Sequence, residues 1–131
     1  MPLITNMWIL FNAILYIGIG ALTLIKPDYV AKTIGYILSR PGGYAELRAC
    51  YGGLMIMIGV FITYLKLSNN KEICLLFLTI IYFGFWLGRS MGILFDKAYD
   101  QTTIMYFMFE TFATILSFVL YYKQVTSSTM S

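Results

Sequence analysis

Residues 72–122 of this 131-residue chain read EICLLFLTIIYFGFWLGRSMGILFDKAYDQTTIMYFMFETFATILSFVLYY. Two apolar runs, 72–95 and 102–122, lie on either side of the polar connection DKAYDQ. Each run is long enough to cross a bilayer as a helix, which takes about 20 residues. Arg89 and Glu110 lie inside these runs, each about ten residues from the middle of the connection. An antiparallel helical hairpin would therefore place both ionisable side chains at one depth in the membrane.

The N-terminal half has two further apolar runs, at 7–25 and 44–67. Only 11% of the residues are charged and 60% are hydrophobic, whereas soluble domains have about 25% charged residues. The sequence therefore predicts an all-α membrane protein, a four-transmembrane-helix bundle in which residues 1–131 form one multi-pass domain of a bacterial inner membrane or an organelle membrane. Basic residues are divided almost evenly between the two sides, so the orientation stays open.

The connection between the first two runs reads KPDYVAKTIGYILSRPGG. Pro27 suits the first position of a helix. Apolar residues then recur at helical spacing, at Val30, Ile34, Ile37 and Leu38. This pattern predicts a short amphipathic helix over 27–38 that lies in the membrane interface. The C-terminal TSSTMS is expected to be mobile.

Polar residues inside the apolar runs are the candidate functional residues, because an ionisable side chain at membrane depth costs about 2.5–3.5 kcal/mol on insertion scales. In the last run they recur every three or four residues, at Thr103, Tyr106, Glu110, Thr114, Ser117 and Tyr121. Hairpin geometry brings Glu46 and Arg48 of the second run into the same half of the bilayer. The predicted polar cluster comprises Glu46, Arg48, Tyr82, Trp86, Arg89 and Glu110.

Three interpretations of this cluster remain open. Arg89 and Glu110 can act as a staple that neutralises itself and fixes helix register. They can also line a cavity, with Asn12 and Tyr16 of the first run, in which arginine binds the headgroup of a lipid-like molecule and the aromatic rings contact its tail. In the third interpretation, Glu110 lies on an ion or proton path.

Small residues form two stripes at intervals of four residues, which is the spacing that lets two membrane helices approach closely. One stripe lies on the third run and the other on the second. Their members are Gly84, Gly88 and Gly92, and Ala45, Ala49 and Gly53. Both stripes are predicted to pack against other helices.

Several classes of protein are disfavoured by the composition. The chain has no histidine and two cysteines, and hairpin geometry places Cys50 and Cys74 at opposite membrane faces, so we expect no metal site, no disulfide and no cofactor. The net charge of +3 is spread among the connections and forms no basic stripe for nucleic acid. No catalytic motif is found, which favours a non-enzymatic role.

The segments AELRACYGGL, at 45–54, and GRSMGILFD, at 88–96, follow a first span that ends in a proline-containing segment. This pattern resembles a family of small four-span membrane proteins of unknown function, distantly similar to DoxX-like four-helix proteins. The resemblance rests on Glu46, Arg48, Gly52, Gly53, Gly88, Arg89, Gly92 and Asp96. It implies a four-helix bundle and supports the view that these charged residues belong to one set. It implies no reaction and no cofactor.

The functional prediction follows from size and charge. Four spans within 131 residues enclose little volume, so we predict an accessory or structural subunit of a larger membrane assembly, or a binder of a lipid-like small molecule at the intramembrane polar site. Its partners would be membrane lipids and either partner subunits or further copies of the chain. The alternative is a small transporter or channel that uses the Arg89–Glu110 layer.

Overall fold

The computed structural model describes residues 2–130, and the elements within that range are helices. They are α1 (Pro2–Ile25), α2 (Pro27–Thr33), α3 (Pro41–Leu67), α4 (Lys71–Phe95) and α5 (Gln101–Thr129). Four of them, all except α2, are long and apolar enough to cross a membrane. The predicted helical class and the four membrane-length helices are therefore confirmed.

The helices fall into two compact units. The N-terminal unit holds α1, α2 and α3, and the C-terminal unit holds α4 and α5. Each unit contains two membrane-length helices that pack on each other.

In the N-terminal unit, α1 and α3 approach closely at glycines. A Cβ atom placed on Gly59 would lie 2.5 Å from Cγ1 of Ile17 and 3.0 Å from the carbonyl oxygen of Ala13. A Cβ on Gly20 would lie 2.7 Å from the carbonyl oxygen of Gly52. These contacts leave no room for a side chain, so the two backbones meet directly, as at the small-residue interfaces of membrane helices.

The predicted stripe of Ala45, Ala49 and Gly53 does not form this contact. Both alanines are exposed, and a Cβ on Gly53 would meet only the carbonyl oxygen of Arg48 in its own helix, at 3.9 Å. The reason is a π-helical turn at Arg48–Gly53. Such a turn holds one more residue than an α-helical turn. The extra residue rotates the part of the helix before the turn by about 100° relative to the part after it.

The connector helix α2 is shorter than predicted and ends at Thr33 instead of 38. Gly35 has a φ of +78°. Its N–H donates to the oxygen of Lys32 at 3.3 Å, and the N–H of Tyr36 donates to the oxygen of Ala31 at 2.7 Å. These two bonds form a Schellman motif, which requires a left-handed residue after the helix.

The apolar residues predicted for one face of this helix do not share one environment. Pro27, Val30 and Ala31 are buried in the protein, whereas Ile37 lies beyond the helix and is 92% exposed. The apolar side of α2 therefore packs against protein, so an amphipathic helix in the interface stays a prediction.

In the C-terminal unit, α4 and α5 run antiparallel. Arg89 pairs with Glu110 near one end of the unit, and Ser128 donates to Glu72 near the other. Asp100 caps the start of α5, where its carboxylate accepts from the backbone N–H of Thr103 at 2.7 Å. Helix α5 continues to Thr129, so most of the tail that was expected to be mobile is helical.

Candidate functional site

Arg89 and Glu110 form a bidentate ion pair across the α4–α5 hairpin. Nε of Arg89 donates to Oε2 of Glu110 at 2.8 Å, and Nη2 donates to Oε1 at 2.7 Å. Two parallel N–H···O bonds are the strongest arrangement between a guanidinium and a carboxylate. The structure thus brings together the two residues that hairpin geometry placed at one depth.

The pair lies within the membrane-length part of both helices. Arg89 is six residues before Phe95, the last residue of α4, and Glu110 is nine residues after Gln101, the first of α5. At a rise of about 1.5 Å per residue, these positions are about 9 Å and about 14 Å from the helix ends. The pair is therefore closer to the α4–α5 connection than to the other end of the hairpin.

The two partners differ in burial. The side chain of Glu110 is 7% exposed, whereas that of Arg89 is 28% exposed. Glu110 therefore has its charge satisfied inside the unit by the arginine. The guanidinium reaches the surface of the protein while it holds the carboxylate.

Aromatic rings of both helices lie near the pair. The Cζ atom of Arg89 lies 5.2 Å from the ring centroid of Tyr106, a cation–π distance. The ring of Trp86 stacks between those of Phe83 and Phe107, with both centroid distances 5.8 Å and interplanar angles of 16° and 24°. Trp86 and Phe107 each lie one helical turn before a member of the ion pair, Arg89 and Glu110 respectively, so these near-parallel rings lie beside the pair.

Tyr82 is buried and meets Phe109 edge to face, with the ring centroids 5.8 Å apart. Tyr82 and Trp86 of the predicted cluster are thus both in aromatic contacts with α5. The prediction did not include Phe83, Phe107 and Phe109 in the site. Their spacing is the signal that could have found them, because Phe83 and Phe107 lie three residues before Trp86 and Glu110 and so share a helix face with them.

Glu46 and Arg48 lie in the N-terminal unit and are exposed. Gly52 packs against Leu24, one residue before the end of α1. Arg48 is four residues before Gly52 in the antiparallel α3, which is about 6 Å further toward its start. These two charges therefore lie level with, or beyond, the end of α1, and their membership of the polar cluster stays a prediction.

Asn12 and Tyr16 are buried in α1. The side-chain amide of Asn12 donates to the carbonyl oxygen of Trp8 at 2.8 Å, and Thr23 donates in the same way to Ile19. Such bonds to the preceding turn satisfy a polar group inside an apolar helix.

The glycine stripe of α4 forms no close contact with α5 in the C-terminal unit that the structure describes. No heavy atom lies within 4 Å of a Cβ placed on Gly84, Gly88 or Gly92. Among residues 2–130, no three His, Cys, Asp or Glu side chains group together as ligands of a metal ion would.

A family model described as "Domain of unknown function (DUF4345)" matches residues 4–121, a range that includes Arg89, Glu110 and most of each membrane-length helix. No curated protein and no solved structure matches the chain.

Proposed function

The chain belongs to the DUF4345 family, a domain of unknown function, and we propose from the geometry that it is a non-enzymatic membrane protein that binds a lipid-like molecule at the Arg89–Glu110 pair. The supporting observation is the unequal burial of this pair, whose arginine is 28% exposed beside three stacked rings. The polar head of the molecule would contact the guanidinium. Its apolar part would lie on the rings of Phe83, Trp86 and Phe107.

Binding explains the unequal burial better than a purely structural staple. A staple is most stable when both charges are enclosed, because an ionised group at membrane depth is costly unless it meets a polar group. Here only Glu110 is enclosed. A bound headgroup would cover the part of the guanidinium that reaches the surface.

The ion pair also indicates the class of molecule. Glu110 accepts hydrogen bonds from two of the five N–H donors of Arg89 and neutralises its charge. A ligand with a free negative charge would therefore gain little attraction and would be repelled by the carboxylate. A neutral or zwitterionic head with carbonyl or ester oxygens fits this site better.

This proposal is tested by mass spectrometry of the lipids that remain bound to the full-length chain after gentle detergent purification. The double variant Arg89→Ala with Glu110→Ala keeps the net charge and should lose the enriched neutral or zwitterionic species. Trp86→Leu should weaken the enrichment, whereas Phe118→Leu, a control at another exposed ring of α5, should not. An identical lipid profile in the wild type and the double variant would leave the pair as a staple only.

A second proposal concerns assembly. We propose that α4 packs against a partner chain or a second copy through Gly84, Gly88 and Gly92, consistent with an accessory subunit. The support is that this stripe has open space beside it, while small residues at this spacing suit close helix contacts in membranes.

Gly88→Leu should lower the mass of the assembly on native gels. Gly18→Leu is the matched control, because Gly18 of α1 also has nothing within 4 Å but does not lie in the stripe. An assembly of the same mass in both variants and the wild type would reject this contact.

The remaining functional expectations are proposals of the same kind. They are the distant relation to DoxX-like proteins, the bacterial inner or organelle membrane, and the single domain over residues 1–131. The transporter or channel alternative would require the ion pair to open and close, and the closed bidentate geometry favours binding over it.

A further inference from the structure

The start of α3 extends beyond the end of α1. Leu24 and Gly20 pack against Gly52, so the end of α1 at Ile25 lies about level with Ala49. The first two turns of α3 continue past that level. If α1 spans the membrane, those turns lie where the hydrocarbon ends and the headgroups begin.

The connector between α1 and α3 wraps around these turns. The hydroxyl of Tyr44 donates to the carboxylate of Asp28 at 2.6 Å. The Tyr36 ring then meets that of Tyr51 edge to face at 6.0 Å, and Leu38 packs on Gly43, whose Cβ position lies 3.4 Å from Leu38 Cδ2. Residues 36–40 therefore run back along α3. We call residues 26–48 the collar.

The collar exposes two kinds of side chain. Ile37 is 92% exposed and Tyr36 is 51% exposed, so a large aliphatic group lies on the outside beside an aromatic ring. Four basic residues of the collar are also exposed, and they outnumber its two acidic residues, Asp28 and Glu46. The basic residues are Lys26, Lys32, Arg40 and Arg48.

We propose that the collar is a lipid-binding surface, in which Ile37 enters the acyl-chain region and Lys26, Lys32, Arg40 and Arg48 bind anionic headgroups of the same leaflet. Lipid is the occupant that fits the position, because both ends of the connector continue into membrane-length helices. Aliphatic surface next to tyrosine and basic side chains matches the boundary between hydrocarbon and headgroups. This inference uses residues of the N-terminal unit and does not depend on ligand binding at Arg89 and Glu110.

The first test measures the depth of Ile37. A nitroxide spin label is attached to Ile37→Cys in a Cys50→Ser background, since Cys50 is exposed and Cys74 is buried, and the full chain is placed in phosphatidylcholine nanodiscs. Labels at Ile14→Cys in α1 and Ser68→Cys after α3, both exposed positions, supply the acyl-chain and water references. The label at position 37 should be more accessible to oxygen than to a nickel chelate, as the label at position 14 is expected to be. Accessibility equal to that at 68 would overturn the insertion of Ile37.

The second test measures the charge. The chain is reconstituted in mixed phosphatidylcholine and phosphatidylglycerol, and the lipids that it retains after delipidation are quantified. Each basic residue near an anionic surface changes affinity roughly fivefold, so Lys32→Gln with Arg40→Gln should weaken the affinity for phosphatidylglycerol by up to about 25-fold and lower the amount retained. The control pair is Lys66→Gln with Lys71→Gln, outside the collar. Retention that is unchanged by the first pair, or equally lowered by both pairs, would overturn headgroup binding by the collar.

Discussion

In the Arg89–Glu110 ion pair, the buried carboxylate depends more on its partner for charge balance than the partly exposed guanidinium does. The carboxylate is enclosed and has its charge balanced by Nε and Nη2 of the arginine. The guanidinium is partly exposed and has the Tyr106 ring beside it. Removal of the arginine should therefore disturb the protein more than removal of the glutamate.

Arg89→Ala alone should lower the free energy of unfolding by about 3 kcal/mol, because it leaves a buried carboxylate without its partner. The double variant with Glu110→Ala should lose less, since no charge is then stranded. Glu110→Ala alone should also lose less, because the long arginine side chain can turn toward the headgroups. The free energy of unfolding of each of the three variants is measured in detergent micelles. Equal stability of the single arginine variant and the double variant would show that the pair contributes no coupling.

Asp100 caps the start of α5, and its pKa is lowered chiefly because its carboxylate accepts from the backbone N–H of Thr103, with a further bond from the Thr103 hydroxyl. A lowered pKa in the folded state adds stability above the ordinary value of about 3.9, and this stability is lost as the pH falls through the lowered pKa.

Asp100→Ala should therefore reduce thermal stability at neutral pH. Asp100→Asn keeps a good N-cap without the titrating group, so it should retain most of that stability and show a flatter acid limb between pH 5 and pH 2, a window set by the ordinary pKa of about 3.9. Melting curves across this range check the result. An identical acid limb in Asp100→Asn and the wild type would exclude this carboxylate as its source.

At the scale of elements, α1 and α3 meet at Gly20, Gly52 and Gly59. A glycine at such a crossing is needed for space, whereas an exposed glycine in a helix costs about 1 kcal/mol relative to alanine. The same substitution should therefore have opposite effects at different glycines of α3.

Gly59→Ala should destabilise the chain by about 1–3 kcal/mol, the usual range for overpacking, because the new methyl group would overlap Ile17. Gly53→Ala should be neutral or stabilising, since its Cβ meets nothing closer than 3.9 Å. Thermal unfolding in one detergent compares them. Equal loss in both variants would contradict the assigned crossing point.

The end of α2 offers a second element-scale prediction. Gly35→Ala should cost about 1–2 kcal/mol, because an L-residue in the left-handed region is strained. Gly18→Ala, in the interior of α1 with open space around it, is the matched control and should stabilise by up to about 1 kcal/mol. A harmless Gly35→Ala would mean that α2 can end without the Schellman motif.

At the scale of the whole molecule, the four membrane-length helices predict a topology. If each crosses once, Ser39 and Ala98 lie on one side of the membrane and Ser68 on the other. Cysteines placed at these positions, in a Cys50→Ser background, should react in that pattern with a membrane-impermeant maleimide in sealed vesicles. Labelling of Ser39→Cys and Ser68→Cys from the same side would contradict the four crossings.

Much of this arrangement could be predicted because it depends on local pattern. Apolar length marked the four long helices, and equal spacing from a short connection placed Arg89 opposite Glu110. The contact of α3 with α1 lies at Gly52 and Gly59 because a π-helical turn at Arg48–Gly53 changes the phase of a helix without a clear sequence mark. Packing of Ala45, Ala49 and Gly53 against another helix stays a prediction. The length of α2 was misjudged because its apolar spacing continues beyond Gly35, although that glycine is itself a helix-stop signal.

The sequence by itself determined the helical class, the membrane-length runs and the antiparallel pairing of two opposite charges, because hydrophobicity and connection length act along the chain. Only the tertiary structure decided which glycines lie in a helix crossing, which rings lie near Arg89, and that Glu46 and Arg48 lie level with or beyond the end of α1. Those features depend on the rotation and offset of one helix against another. Rotation and offset are set by the packing of side chains in three dimensions, which spacing along one chain does not specify.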